Sequence, residues 1–163
     1  MRAVLCTEFG PPEKLILKEI SKPIPKGTEV RIRVEACGVN FPDTLIIENK
    51  YQFKPSLPFS PGGEVAGVID AVGADVKQYE AGDCVMAMTL FGGFAEYILV
   101  EESTLLKRPV KMNSIIAAGF TMTYGTSMHA LKQRADLQAG EKLLVLGAGG
   151  GVGLAAVEIG KAM

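Results

Sequence analysis

Apolar and polar side chains alternate through much of the first hundred residues, and the alternation predicts strands. Glu29-Val30-Arg31-Ile32-Arg33-Val34-Glu35-Ala36 puts Val30, Ile32, Val34 and Ala36 on one face, the pattern of a half-buried strand. Residues 2–6 and 14–20 read as two short strands joined through the Gly10-Pro11-Pro12 turn. A long strand is predicted from Glu64 to Gly73, with Gly67 a candidate bulge or point of close approach. Cys84-Val85-Met86-Ala87-Met88 and Phe94 to Val100 complete the set. Between the strands lie a short helical pattern through Leu45, Ile46 and Ile47, and a proline-rich loop over residues 51–63. Short strands at close intervals, separated by Gly/Pro turns, predict a mostly β, barrel-like domain.

The pattern changes near residue 113. Asn113 can cap a short helix over Ser114-Ile115-Ile116-Ala117-Ala118, and helical periodicity continues from about Thr123 to Arg134. After the Asp136–Gly140 turn comes the apolar run Lys142-Leu143-Leu144-Val145-Leu146-Gly147, of strand length. It enters a glycine cluster and then the helical pattern of residues 154–163. Strand, tight turn and helix together open a dinucleotide-binding unit. Gly147, Gly150 and Gly153 are spaced GxxGxxG, with Gly149 and Gly151 among them and Val152 before the last. Such a turn brings bare backbone, and the N–H groups of a helix start, up to a pyrophosphate. The plainer alternative is a flexible glycine loop. A phosphate loop with GK[ST] is excluded, because Lys142 precedes the run.

Residues 1–120 are therefore expected to form one β-rich domain. Residues 121–163 are expected to hold a hinge helix and the first βα unit of an incomplete nucleotide-binding domain. A lone parallel strand has nothing to pair with, so the 163 residues read as a fragment, or as a chain whose partner strands come from elsewhere.

Composition narrows the function classes. The chain is 48% hydrophobic and 21% charged with formal net charge −1, which argues against a nucleic-acid footprint or a polybasic membrane contact. No apolar run reaches about 18 residues, so no membrane span is expected. The N-terminus lacks a signal-peptide pattern, and the three separated cysteines Cys6, Cys37 and Cys84 argue against a disulfide framework. A reducing, cytoplasmic setting is expected, with the mitochondrion left open.

Several segments, in order and over nearly the whole chain, resemble the medium-chain dehydrogenase/reductase superfamily in its zinc-free quinone oxidoreductase branch. They are Glu35-Ala36-Cys37-Gly38-Val39-Asn40-Phe41-x-Asp43, Pro61-Gly62-Gly63-Glu64-x-Ala66-Gly67, Val72-Gly73, Ala81-Gly82-Asp83-x-Val85, Gly92-Gly93-Phe94-Ala95-Glu96-Tyr97, Thr123-Tyr124-Gly125-Thr126 and the final glycine loop. The resemblance implies a mostly β, GroES-like domain followed by the truncated start of an α/β Rossmann domain. In the zinc-dependent branch a cysteine ligand would fall at Asn40 and a histidine ligand at Gly63, so no metal site is expected. His129, the one histidine, does not make a site, since zinc takes three or four protein ligands. Cys84 stands where the resemblance leads to a basic residue, and Gly149 where an alanine is common.

The chemistry then implied is zinc-independent hydride transfer from NADPH, with NADH as the alternative, to a small-molecule quinone or α,β-unsaturated carbonyl. By resemblance Asn40 and Tyr51 line the substrate or nicotinamide cleft, and Thr126 touches the nicotinamide. Gly147, Gly149, Gly150, Gly151, Val152 and Gly153 are the expected pyrophosphate-binding residues. Simpler roles stand beside these: Asn40 as a helix cap, Tyr51 as a packing aromatic, Thr126 as a helix-interior hydroxyl. Cys37 reads as a structural thiol, and Glu64 as support behind the cleft. Two further readings are an enoyl-thioester reductase and a catalytically inactive cofactor-binding or structural fragment. The family also implies a homodimeric parent.

Overall fold

Strands β1 (Arg2–Leu5) and β2 (Ile16–Glu19) pair antiparallel, Arg2 opposite Glu19 and Leu5 opposite Ile16. The other five strands are β3 (Glu29–Gly38), β4 (Glu64–Val72), β5 (Cys84–Met88), β6 (Tyr97–Glu101) and β7 (Leu105–Lys107). They form an antiparallel sheet in the order β6-β3-β4-β5-β7. The computed structural model describes residues 1–163, which divide into two units, Met1–Gly119 and Phe120–Met163. All seven strands lie in the first.

The core of this first unit follows from the alternation. Val30 and Ile32 of β3, Val65 and Ile69 of β4, Val85 and Ala87 of β5, and Ile98 and Val100 of β6 meet in one buried cluster. Two bulges interrupt the β3–β4 ladder. One leaves Asp70 as the extra residue and the other leaves Glu35. The second changes which residues of β3 face inward, since Val34 and Cys37, three positions apart, both pack against the cluster. A period of two cannot do that without an inserted residue. Both extra residues carry carboxylates that take arginines. Asp70 Oδ2 lies 2.5 Å from Arg31 Nη2, and Glu35 Oε2 lies 3.0 Å from Arg108 Nη1. Gly67 is a point of close approach, because a Cβ there would stand 2.1 Å from the carbonyl oxygen of Arg33.

Helix α1 (Phe41–Ile47) lays Ile46 and Ile47 on Cys6 and Phe59, a second and smaller cluster. Cys6 and Phe59 also exchange backbone bonds of 2.8 and 3.1 Å, which join β1 to the proline-rich loop. Helix α2 (Ser114–Ala117) starts where Asn113 Oδ1 accepts from the Ile116 N–H at 2.8 Å. Strand β6 begins at Tyr97 rather than Phe94; Phe94 to Glu96 bond to residues 2–4 and 61, and only the Glu96 carbonyl still accepts from β3, from the Val34 N–H.

The second unit is helical. Helix α3 (Thr121–Met128) begins two residues earlier than the periodicity predicts and runs on as a wider, π-type turn over His129–Arg134. Helix α4 spans Gly151–Ala162. The expected strand over Lys142–Gly147 is not formed, and residues 141–145 belong to no ladder. A strand exists by its inter-strand hydrogen bonds, and this unit contains no other strand to supply them. Leu144 and Leu146 accordingly stay 82% and 87% exposed.

Candidate active site and glycine turn

Asn40 lies two residues past the end of β3 and immediately before α1, so the sheet anchors the chain on one side of it and the helix on the other. Asn40 and Asp43 form a capping box at the helix start, with the Asn40 side chain turned to the Asp43 backbone N–H, which donates to the Asn40 main-chain carbonyl at 3.0 Å. In return the Asn40 N–H donates to Asp43 Oδ2 at 2.8 Å. Asp43 Oδ1 accepts from the Gly62 N–H at 3.1 Å, so one carboxylate ties α1 to the Pro61-Gly62-Gly63 loop. Asn40 Nδ2 donates to Glu64 Oε2 at 3.2 Å. Asp43 is 5% exposed and Glu64 fully buried, so both carboxylates lie beneath a half-buried amide.

Burial raises the carboxyl pKa of Asp43, and backbone N–H groups of Asn40, Gly62 and Gly63 pull it back part of the way. Cys37 is pushed up to about 12, first by burial and then by the negative charge of Asp43. Its thiol is protonated at neutral pH, consistent with a packing role.

Tyr51 follows α1 and belongs to the smaller cluster. It is half-buried and packs with Phe9 and Leu15 on the Cys6, Ile46, Ile47 and Phe59 cluster. An apolar pocket of about 470 Å³ opens between Met88–Gly92 and Ile98–Glu101, and neither Asn40 nor Tyr51 is among its lining residues. A smaller recess of about 90 Å³, lined by Val39, Asp43, Thr44 and Phe94 among others, lies on the Asp43 side.

In the second unit the glycine cluster forms a turn into α4. Gly147 has φ +76, in the left-handed region that glycine enters freely. Its carbonyl oxygen accepts from the Gly150 N–H at 3.1 Å. A Cβ at Gly153 would stand 2.3 Å from that same oxygen, so the turn folds directly over the first turn of the helix. A Cβ at Gly151 would meet Thr123 Cγ2 at 2.9 Å, whereas Gly149 has open space around it. Val152 is 43% exposed, and its carbonyl oxygen accepts from Ser127 Oγ at 2.7 Å. Thr126 points to solvent, and it is Ser127, 2% exposed, that reaches the glycine turn from α3. The sequence carried no signal for Ser127, because a hydroxyl inside a helix reads the same whether its neighbour is solvent or a second helix.

No group of three His, Cys, Asp or Glu side chains is arranged to hold a metal ion. His129 Nδ1 lies 2.5 Å from Gln133 Oε1 on its own helical turn. No helix is long and apolar enough to cross a membrane.

Residues 26–110 match the model of the alcohol dehydrogenase GroES-like domain. The chain is similar to a human protein named quinone oxidoreductase, 47% identical over 164 aligned residues, covering 99% of this chain and 50% of that one. It thus spans about half the length of the curated relatives it matches. Among solved structures, the human synaptic vesicle membrane protein VAT-1 homolog-like protein superposes with a TM-score of 0.97 at 37% identity. That match covers 100% of this chain and 53% of the other. The quinone oxidoreductase of Thermus thermophilus, studied alone and in complex with NADPH, superposes with a TM-score of 0.87 at 34% identity. It covers 100% of this chain and 50% of that one.

Proposed function

Because the chain belongs to the alcohol dehydrogenase GroES-like family, within the quinone oxidoreductase-like part of the medium-chain dehydrogenase/reductase superfamily, we propose that it serves a nicotinamide-dependent reductase. The acceptor is a quinone or an α,β-unsaturated carbonyl compound, and NADPH is the favoured cofactor. The residues after Gly119 are read as a hinge helix and the opening turn of a Rossmann-type domain.

The observation that carries this reading is the contact between Gly147 and Gly153. Their packing makes a turn of bare backbone at the start of a 12-residue helix. That is the cradle a pyrophosphate requires, with backbone N–H groups and the positive end of the helix dipole directed to it. Gly149, Gly150, Gly151 and Val152 are the proposed contacts, and the open space at Gly149 suits a bulky anionic group. Ser127 holds the turn against α3 through the Val152 carbonyl. Thr126, exposed on α3, is retained as a nicotinamide contact.

When bound, a reduced nicotinamide supplies the hydride, and the acceptor takes a proton from solvent. What this chain adds is orientation and stabilisation of the charge that develops on the acceptor oxygen. Asn40 is the proposed hydrogen-bond donor to that oxygen. Tyr51 is assigned a wall of the acceptor site, its ring fixed by the packing described above. The reaction is read as zinc-independent on the chemistry of the side chains. An amide at Asn40 and a bare backbone at Gly63 are poor substitutes for thiolate and imidazole ligands.

The test is to follow cofactor oxidation by the protein at its native length, with NADPH or NADH, against a panel of simple quinones, enones and enoyl thioesters. Turnover of quinones or enones that survives exhaustive chelation is expected. Turnover confined to enoyl thioesters would replace the acceptor class, and failure to bind either cofactor would sink the reading.

A further inference from the structure

We propose that Glu64 is a positioning residue. It locks the Asn40 amide in one of its two orientations, so that a single N–H is left for the acceptor oxygen. This rests on the reductase reading above and deepens it.

A primary amide offers two N–H donors and one carbonyl oxygen. In Asn40 the oxygen end faces the start of α1, where the Asp43 N–H donates to the Asn40 main-chain carbonyl at 3.0 Å. One Nδ2 proton goes to Glu64 Oε2 at 3.2 Å. What remains is one N–H.

The two orientations of an amide differ little in shape, so packing alone selects poorly between them. A carboxylate selects strongly, because it accepts and does not donate. Flipping Asn40 would set its oxygen against the Glu64 carboxylate and its NH2 against the Asp43 N–H. It would also present oxygen, not N–H, to an acceptor carbonyl.

The sheet holds Glu64 for this purpose. It is the first residue of β4, paired with Gly38 on one side and Met88 on the other, and it is fully buried. Gly38 keeps the space between the partners clear. A Cβ there would stand 3.0 Å from Glu64 Oε2, 3.3 Å from Asn40 Nδ2 and 2.3 Å from the Ala118 carbonyl oxygen. Strand register therefore sets where the carboxylate is, and the carboxylate sets which way the amide faces.

The test compares Glu64→Gln, Asn40→Asp and the double variant N40D/E64Q in the native-length protein. Turnover with NADPH and a quinone, thermal melting and the side-chain amide spectrum of 15N-asparagine-labelled protein are measured together. Wild type is expected to show one Asn40 amide proton shifted downfield and slow to exchange, a signal weakened in Glu64→Gln, whose amide can meet either end of Asn40. Turnover number in Glu64→Gln should fall about tenfold with the KM for NADPH nearly unchanged, and in Asn40→Asp about a hundredfold. The double variant exchanges donor for acceptor, so the introduced glutamine amide can donate to the introduced aspartate. Its melting temperature should recover while turnover stays low, because an aspartate has no N–H to offer the acceptor.

Recovery of turnover together with melting temperature in the double variant would overturn the proposal, since the pair would then be architectural only. An unchanged amide spectrum and unchanged turnover in Glu64→Gln would overturn it as well. If wild type turns over no quinone or enone, the reductase reading fails, and the amide spectrum alone decides the pairing of Glu64 with Asn40.

Discussion

A side chain on Gly153 would collide with the carbonyl oxygen of Gly147, its Cβ standing 2.3 Å away. This contact packs the glycine turn on the first turn of α4. Gly153→Ala should force the turn off the helix, at a stability cost of about 1–3 kcal/mol. NADPH affinity should fall by tenfold or more. Gly149→Ala meets nothing within 4 Å and should leave the melting temperature close to wild type. Thermal melts and fluorescence titration with NADPH check both, and equal destabilisation by the two variants would remove the special standing of Gly153.

Ser127 and Thr126 should separate cleanly. Ser127→Ala removes a buried donor to the Val152 carbonyl, which costs about 1 kcal/mol and loosens the start of α4. Thr126→Ala alters an exposed position and should leave melting unchanged while raising the KM for NADPH about threefold or more. A Thr126→Ala protein with wild-type KM would withdraw the assignment of Thr126 as a nicotinamide contact.

The buried carboxyl of Asp43 gives a definite sign of pH dependence. Its pKa in the folded protein lies above the ordinary value of 3.8. The folded state therefore binds the proton more tightly than the unfolded chain. The stability this group contributes is present below about pH 4 and is lost as pH rises through the elevated pKa. Asp43→Asn removes that titration, and it also sets an NH2 against one of the N–H groups of Asn40 and Gly62. It should be less stable at neutral pH by about 1–3 kcal/mol. Denaturant unfolding of both proteins from pH 3.5 upward checks this, and the wild-type advantage should vary across that acid range. A pH-independent difference would contradict the elevated pKa.

The three cysteines should differ in reactivity. Cys84 is exposed, whereas burial raises the thiol pKa of Cys6 and carries that of Cys37 to about 12. A disulfide reagent at pH 8 should modify one thiol rapidly in the native protein, and the other two only on unfolding. Cys84→Ser should abolish the fast phase. A fast phase surviving in Cys84→Ser would show that Cys6 or Cys37 is not an inert packing group.

Much of the first unit was legible because its strands are half-buried. Val30 and Ile32 alternate with Arg31 and Arg33, and a single buried face imposes that period on the sequence. The helix after Asn40 and the cap at Asn113 were legible because they are local, decided within four residues. The bulges at Asp70 and Glu35 were not, since a bulge is a property of two strands and each strand reads normally by itself. Of the candidate site, Asn40 was proposed through the resemblance. Its donor to Glu64, 24 residues away, was not. Thr126 was named through the resemblance, and Ser127 was not named at all, because nothing in a helical pattern says which hydroxyl another helix will cover.

The glycine turn divides the same way. Spacing alone determined that residues 147–153 could bend tightly and begin a helix, because glycine's freedom of φ belongs to the residue. Which glycines are indispensable was decided only by the tertiary structure, since Gly153 and Gly149 differ solely in what stands next to them. The apolar run before the turn had strand composition, yet residues 141–145 form no strand. Composition sets how well a segment suits a sheet, and hydrogen bonds to a neighbouring strand decide whether it is in one.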